Sequence, residues 1–163
     1  MFSKIFKRKN EPDKKVILAT QTGKVIKLED VPDEAFSQKM LGDGVAIIPD
    51  DGKICSPVNG TIVDVTETLH AYCISTDDGL DVLVHVGINT VELKGQGFKV
   101  FVKAGDKVKA GDLIAEADLE FIKSKGYQTH TPILVANPDA AKGLEAVISE
   151  KCIAGETVVL EYE

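Results

Sequence analysis

The chain has 163 residues, of which 44% are apolar and 28% charged, a composition that supports one buried core and excludes a disordered or fibrous protein. Net charge is −7, with Lys4, Lys7, Arg8, Lys9, Lys14 and Lys15 against Glu11 and Asp13 giving +4 in the first 15 residues and leaving −11 on the other 148, so a generally basic nucleic-acid binder is excluded. Cys55, Cys73 and Cys152 are odd in number and lack C-x-x-C spacing, which argues against a disulfide framework or a thiolate zinc cluster and fits small core residues in a reducing cytoplasm.

Residues 1–15 come first and stand apart. Phe2, Ile5 and Phe6 share one side of a helical wheel among lysines and an arginine, a basic amphipathic tail suited to weak, reversible contact with anionic lipid. The expected domain is 16–163. No apolar run there approaches the roughly 20 residues of a membrane span, and the N-terminus lacks the apolar stretch of a signal peptide.

From residue 16 onward, short apolar runs are separated by turn residues. The expected strands are Val16 to Ala19, Val25 to Leu28, Val45 to Pro49, Lys53 to Ser56, Gly60 to Val65, His70 to Ser75, Leu80 to Gly87, Val91 to Leu93, Phe98 to Phe101, Asp112 to Ala117, Thr131 to Val135 and Thr157 to Leu160. Only Asp33 to Met40 and Asp118 to Lys125 read as helical, each opening on an aspartate that can cap the first turn. Many short strands in one domain mean an all-β fold, a sandwich or a barrel.

With no tryptophan, no phosphate-binding loop and no nucleophilic serine signature, the candidate chemistry narrows to His70, His85 and His130. In Asp81-Val82-Leu83-Val84-His85-Val86-Gly87 the three valines share the core face of a strand, which puts His85 on the other face. Gly87 lets another group approach the backbone closely. A two- or four-residue loop around Asp77-Asp78-Gly79 sets His70 directly opposite His85; a three-residue loop with Gly79 in a bulge sets Val86 opposite His70 instead. Local turn chemistry and hydrophobicity leave both registers open. Two facing imidazoles suit phosphoryl transfer, one as nucleophile and one as hydrogen-bond donor to the incoming charge. They also suit the start of a metal site, although no third ligand is evident. His130, beside Thr131-Pro132, has no local partner and reads as structural or solvated.

Four segments carry a resemblance: Gly42-Asp43-Gly44-Val45-Ala46-Ile47, Ser56-Pro57-Val58-Asn59-Gly60-Thr61-Ile62, Thr68-Leu69-His70-Ala71, and Leu83-Val84-His85-Val86-Gly87-Ile88-Asn89-Thr90-Val91-Glu92-Leu93-Lys94-Gly95. They closely resemble the glucose-type enzyme IIA of the bacterial phosphoenolpyruvate:sugar phosphotransferase system, in its free-standing cytoplasmic form. The resemblance implies an antiparallel β-sandwich built on a duplicated hybrid motif. It implies that His85 accepts a phosphoryl group from phospho-HPr and passes it to a cysteine of an enzyme IIB domain attached to a sugar permease. His70 matches the histidine that supports transfer, Thr68 the hydroxyl that orients it, and Gly87 the backbone support; these roles favour the register with the histidines directly opposed. Asp43, Val45, Leu83, Asn89 and Val91 are the expected docking residues, with Asn89 standing where the family often has Asp. Some relatives bind zinc through the histidine pair and a partner's carboxylate, making His70 and His85 candidate zinc ligands; no cofactor is otherwise required. Phosphorylation also makes this face a candidate switch for transporters or metabolic enzymes. Val108-Lys109-Ala110-Gly111-Asp112-Leu113-Ile114 resembles biotinyl and lipoyl carrier domains, but no acceptor lysine stands in the Met-Lys-Met or Asp-Lys-Ala context such a carrier needs.

Overall fold

A computed structural model describes residues 14–163. The amphipathic tail therefore lies outside the described residues, except for Lys14 and Lys15, of which Lys15 begins the first strand.

In chain order the strands are β1 (Lys15–Leu18), β2 (Gly23–Lys27), β3 (Asp43–Pro49), β4 (Lys53–Cys55), β5 (Gly60–Val65), β6 (Ala71–Ser75), β7 (Asp81–His85), β8 (Phe98–Val100), β9 (Lys107–Val108), β10 (Leu113–Ala117), β11 (Thr131–Val135), β12 (Glu145–Ala146), β13 (Ser149–Cys152) and β14 (Val158–Tyr162). All pairings are antiparallel. One eight-stranded sheet runs β13-β2-β3-β11-β7-β6-β5-β9, and two three-stranded sheets run β1-β14-β12 and β4-β10-β8. Short strands with turn residues between them have nowhere to bury an apolar face except against another sheet. The principal core accordingly draws Ile17 and Leu160 from the first small sheet, Ile54 and Ile114 from the second, and Val45, Ile62, Tyr72, Val84 and Ile133 from the large one. The fold is an antiparallel β-sandwich.

Alternation along the strands explains a second core. In β3 and β11, Val45, Ile47, Ile133 and Val135 enter the principal core, while Ala46 and Leu134 point to the opposite face and join Leu28, Val31, Phe36 and Ile88. These strands are covered on both sides and read as continuous apolar runs rather than alternating ones. The cover is supplied partly by helix α1 (Glu34–Ser37), where the Asp33 side chain accepts from the Ala35 N–H at 2.9 Å. Helix α2 (Leu119–Ser124) starts the same way, Asp118 accepting from Phe121 N–H at 3.1 Å. Both expected caps are present, on helices shorter than the sequence suggested.

Val91 to Leu93, expected as a strand, lies instead in a 3₁₀ turn at Thr90–Leu93, bounded by left-handed Asn89 (φ 61°) and Lys94 (φ 53°). Two left-handed residues so close together prevent an extended run between them. β9, β12 and β13 were not expected: two have only two residues, and none has an alternating apolar pattern. Cys152 is in the core, whereas Cys55 and Cys73 are only half-buried. Burial pushes all three thiols up, and nearby aspartates add to this at each. Among the described residues, no helix is long and apolar enough to cross a membrane.

Candidate active site

The hairpin of β6 and β7 sets the site. Its loop, Asp77-Asp78-Gly79, is the three-residue form: Gly79 has φ 95°, and Leu80 N–H donates to Thr76 Oγ1 at 2.9 Å. The ladder therefore pairs Ser75 with Asp81, Cys73 with Leu83, and Ala71 with His85. The register with His70 directly opposite His85 is overturned; His70 precedes β6, and its carbonyl accepts from Val86 N–H at 2.7 Å. Core parity gives the reason. Tyr72 and Ile74 pair with Val84 and Val82, and all four are fully buried. The other register would set Tyr72 against Leu83 and turn half of the apolar set away from the core.

The imidazoles meet nonetheless. Leu69 adopts a left-handed conformation (φ 62°), an uncommon one for a bulky residue, and the turn carries the His70 ring to the face of His85. The ring centroids are 4.7 Å apart with planes at 85°. His85 Nδ1 lies 2.9 Å from the Gly87 carbonyl oxygen. A carbonyl can only accept, so Nδ1 carries the proton and donates, which leaves Nε2 with its lone pair. His70 Nδ1 lies 2.7 Å from Thr68 Oγ1. Burial, repulsion from His70 and only partial compensation from the Gly87 bond push His85 down to about 4. Burial also lowers His70. Both rings are thus neutral near pH 7.

Gly87 is held from several sides. Its N–H donates to the His130 carbonyl at 2.9 Å, and Ile88 N–H donates to the Gln128 carbonyl at 3.0 Å. Its φ is 86°, and a Cβ there would stand 2.4 Å from Thr90 Cγ2. His130 therefore contributes through its backbone, while its Nδ1 is buried without a partner.

Two contributors escaped the sequence reading. Phe36 packs its ring edgewise on His85, centroids 4.9 Å apart, and fully buried Thr90 donates from Oγ1 to the Val86 carbonyl at 2.5 Å. The capping Asp33 signalled a helix that could carry Phe36, but nothing local pointed it at His85.

The five expected docking residues divide. Asp43 is half-buried, accepts from Gly44 N–H at 2.8 Å and lies 3.5 Å from Lys39 Nζ. Leu83 is half-buried on the same face of β7 as His85, and Asn89 is exposed. Val91 is 46% exposed. Val45 is 0% exposed, because it sits in the middle of β3 with its side chain in the principal core. It is not available to a partner, and that expectation is corrected.

Among the described residues no group of three or more His, Cys, Asp or Glu is arranged to hold a metal ion. The histidine pair offers two ring nitrogens, its Nδ1 atoms being engaged by Thr68 and Gly87. That donor set fits half of a tetrahedral zinc site, with the remainder to come from elsewhere.

Comparison with known proteins accords with this geometry. Residues 15–141 match the family described as phosphoenolpyruvate-dependent sugar phosphotransferase system, EIIA 1. The chain is 45% identical over 164 residues to the PTS system glucose-specific EIIA component of Halalkalibacterium halodurans, covering 96% of this chain and 95% of that one. It is 41% identical over 161 residues to the protein of the same name from Bacillus cereus, covering 99% and 98%. Among solved structures, the glucose permease IIA from Mycoplasma capricolum aligns with a TM-score of 0.85 at 35% identity, covering 93% of this chain and 97% of that one. A neutral imidazole pair on the face of this sandwich, together with full-length relatives of one name, establishes that the chain belongs to the glucose-type EIIA family of the phosphoenolpyruvate-dependent sugar phosphotransferase system.

Proposed function

We propose that the protein is a phosphocarrier in which His85 accepts a phosphoryl group from phospho-HPr and gives it to a cysteine thiolate of an enzyme IIB domain. The observation carrying this is the His85 Nδ1–H bond to the Gly87 carbonyl at 2.9 Å, which leaves Nε2 as the free nucleophilic nitrogen. In the first step the Nε2 lone pair forms the new N–P bond as the N–P bond to HPr breaks, and the electron pair returns to the HPr imidazole. In the second the IIB sulfur forms a P–S bond and the pair returns to Nε2. No net oxidation occurs and no nucleotide takes part.

His70 supports the second step by donating from Nε2–H to a phosphoryl oxygen, with Thr68 giving its hydroxyl proton to His70 Nδ1. Because phosphoryl transfer asks for positioning and charge stabilisation, two rings fixed on a rigid hairpin can serve it. Asp43, Leu83, Asn89 and Val91 form the docking rim for HPr and for IIB. A zinc ion held by His70 and His85 would require a partner's carboxylate. The setting is the cytoplasmic side of the membrane that carries the permease, with residues 1–15 as a weak lipid contact.

The test is incubation with phosphoenolpyruvate, enzyme I and HPr, followed by assay for acid-labile, base-stable phosphate. Wild type becomes labelled, His85→Ala does not, and His70→Ala is labelled but fails to pass phosphate onward. Label on His85→Ala overturns the assignment.

A further inference from the structure

The loop joining β5 to β6 carries Thr68 and His70, and its closure is unusual. In an antiparallel pair of this kind Ala71 N–H would donate to the Thr66 carbonyl. Here Leu69 N–H takes that carbonyl at 2.9 Å, as the left-handed turn at Leu69 requires. Ala71 N–H donates instead to Thr66 Oγ1 at 3.2 Å, and the same hydroxyl donates back to the Ala71 carbonyl at 3.3 Å. The Thr66 side chain thus replaces a main-chain acceptor that the turn has used. From beneath, Tyr72 donates from its hydroxyl to the Leu69 carbonyl at 2.8 Å. Tyr72 is fully buried, and desolvation raises its hydroxyl well above the ordinary range, so the group remains a donor at every physiological pH. These two hydroxyls grip the peptides immediately before and after His70.

We propose that Thr66 and Tyr72 are positioning residues for onward phosphoryl transfer, clamping the Leu69 turn so that the His70 ring stands against His85. The proposal rests on the phosphocarrier reading and adds to it the means by which His70 is aimed. Neither hydroxyl needs to touch the phosphoryl group. Tyr72 acts through the backbone, holding the one strained residue of the loop; Thr66 satisfies the N–H that the strain leaves without its usual partner, and its Oγ1 also lies 3.4 Å from His70 Nδ1. A left-handed Leu persists only where its surroundings hold it there. Without the clamp the turn relaxes, and His70 loses its fixed distance from His85.

Tyr72→Phe removes one oxygen and keeps the ring that fills the core. Thr66→Val removes the hydroxyl at nearly constant shape, and Thr66→Ser restores it. Each variant is assayed for labelling from phospho-HPr and for onward transfer to IIB, and the His70 and His85 ring nitrogens are followed by NMR. The expectation for Tyr72→Phe and Thr66→Val is full labelling, onward transfer slowed about 10- to 100-fold, and displaced His70 ring signals. Thr66→Ser is expected within about threefold of wild type by the same positioning argument. Wild-type onward transfer with unmoved His70 signals in Tyr72→Phe and Thr66→Val overturns the proposal. So does slowed transfer with unmoved His70 signals, which marks a merely structural role. Failure of wild type itself to take label on His85 overturns the phosphocarrier reading instead, and the ring signals still report on the clamp.

Discussion

Replacing His85 by Gln should change how stability depends on pH. His85 is held down at about 4, first by burial and then by the neighbouring His70, against about 6.5 in an unfolded chain. As pH falls, the unfolded chain takes the proton before the folded one. The stability tied to neutral His85 is therefore fully present above about pH 6.5 and is lost as pH falls toward about 4. The slope is about 1.4 kcal/mol per pH unit inside that window, so passage from pH 7 to pH 5 costs about 2 kcal/mol through this one ring. His70 and His130 are lowered in the same direction by burial and remain in both proteins. Asp78, held at about 2 chiefly by its bond from Thr76, titrates below this interval. Urea unfolding of wild type and His85→Gln at pH 7 and pH 5 reads the effect directly. The variant should lose about 2 kcal/mol less than wild type over that interval. Equal losses in the two proteins would refute the claim that the ring is kept neutral by its surroundings.

Three other substitutions test separate parts of the argument. Gly87→Ala drives a Cβ to within 2.4 Å of buried Thr90 at a φ of 86°; a loss of about 1–3 kcal/mol in thermal unfolding is expected, with the His85 Nδ1 proton signal displaced. Ile133→Ala empties a fully buried site between Val84 and Val45 and should cost about 2–5 kcal/mol in denaturant. Asn89→Asp adds a carboxylate at an exposed position and should tighten HPr binding about two- to fivefold at low salt, an advantage that fades as salt rises. Calorimetric titration at two ionic strengths checks it, and unchanged affinity would remove Asn89 from the interface.

Much of the architecture was legible because burial leaves periodic marks. The valines of β7 declared their face, and Asp33 and Asp118 declared the starts of both helices. What escaped has a physical reason in each case. The Thr90–Leu93 turn follows from left-handed residues at Asn89 and Lys94, conformations that composition does not announce. Strands as short as β9 and β12 exist because longer neighbours offer them free edges. Val45 sits in a segment covered on both faces, where a strand carries no alternation to separate core from rim. The hairpin register was not legible, because Leu69, Ala71 and Cys73 are as apolar as Tyr72 and Ile74; only once Tyr72 and Ile74 are seen buried with Val82 and Val84 does parity require the three-residue loop. His70 then reaches His85 only through the left-handed Leu69, a long-range outcome of local strain that spacing along the chain does not reveal.

The bulge at Gly79 has a consequence far from its own position. The loop is about five residues from His85 along β7, in solvent, and touches neither imidazole. Yet for this sequence, closing on three residues rather than two or four decides which side of the sheet each residue of the hairpin faces. Closing the same sequence on two or four residues would set the even-numbered residues of β6 against the odd-numbered residues of β7. His85 and the core cannot then both be on their proper sides. Gly79, at φ 95°, favours the three-residue closure, so a substitution there, in a loop where changes are usually tolerated, bears on His85 as well as on the turn.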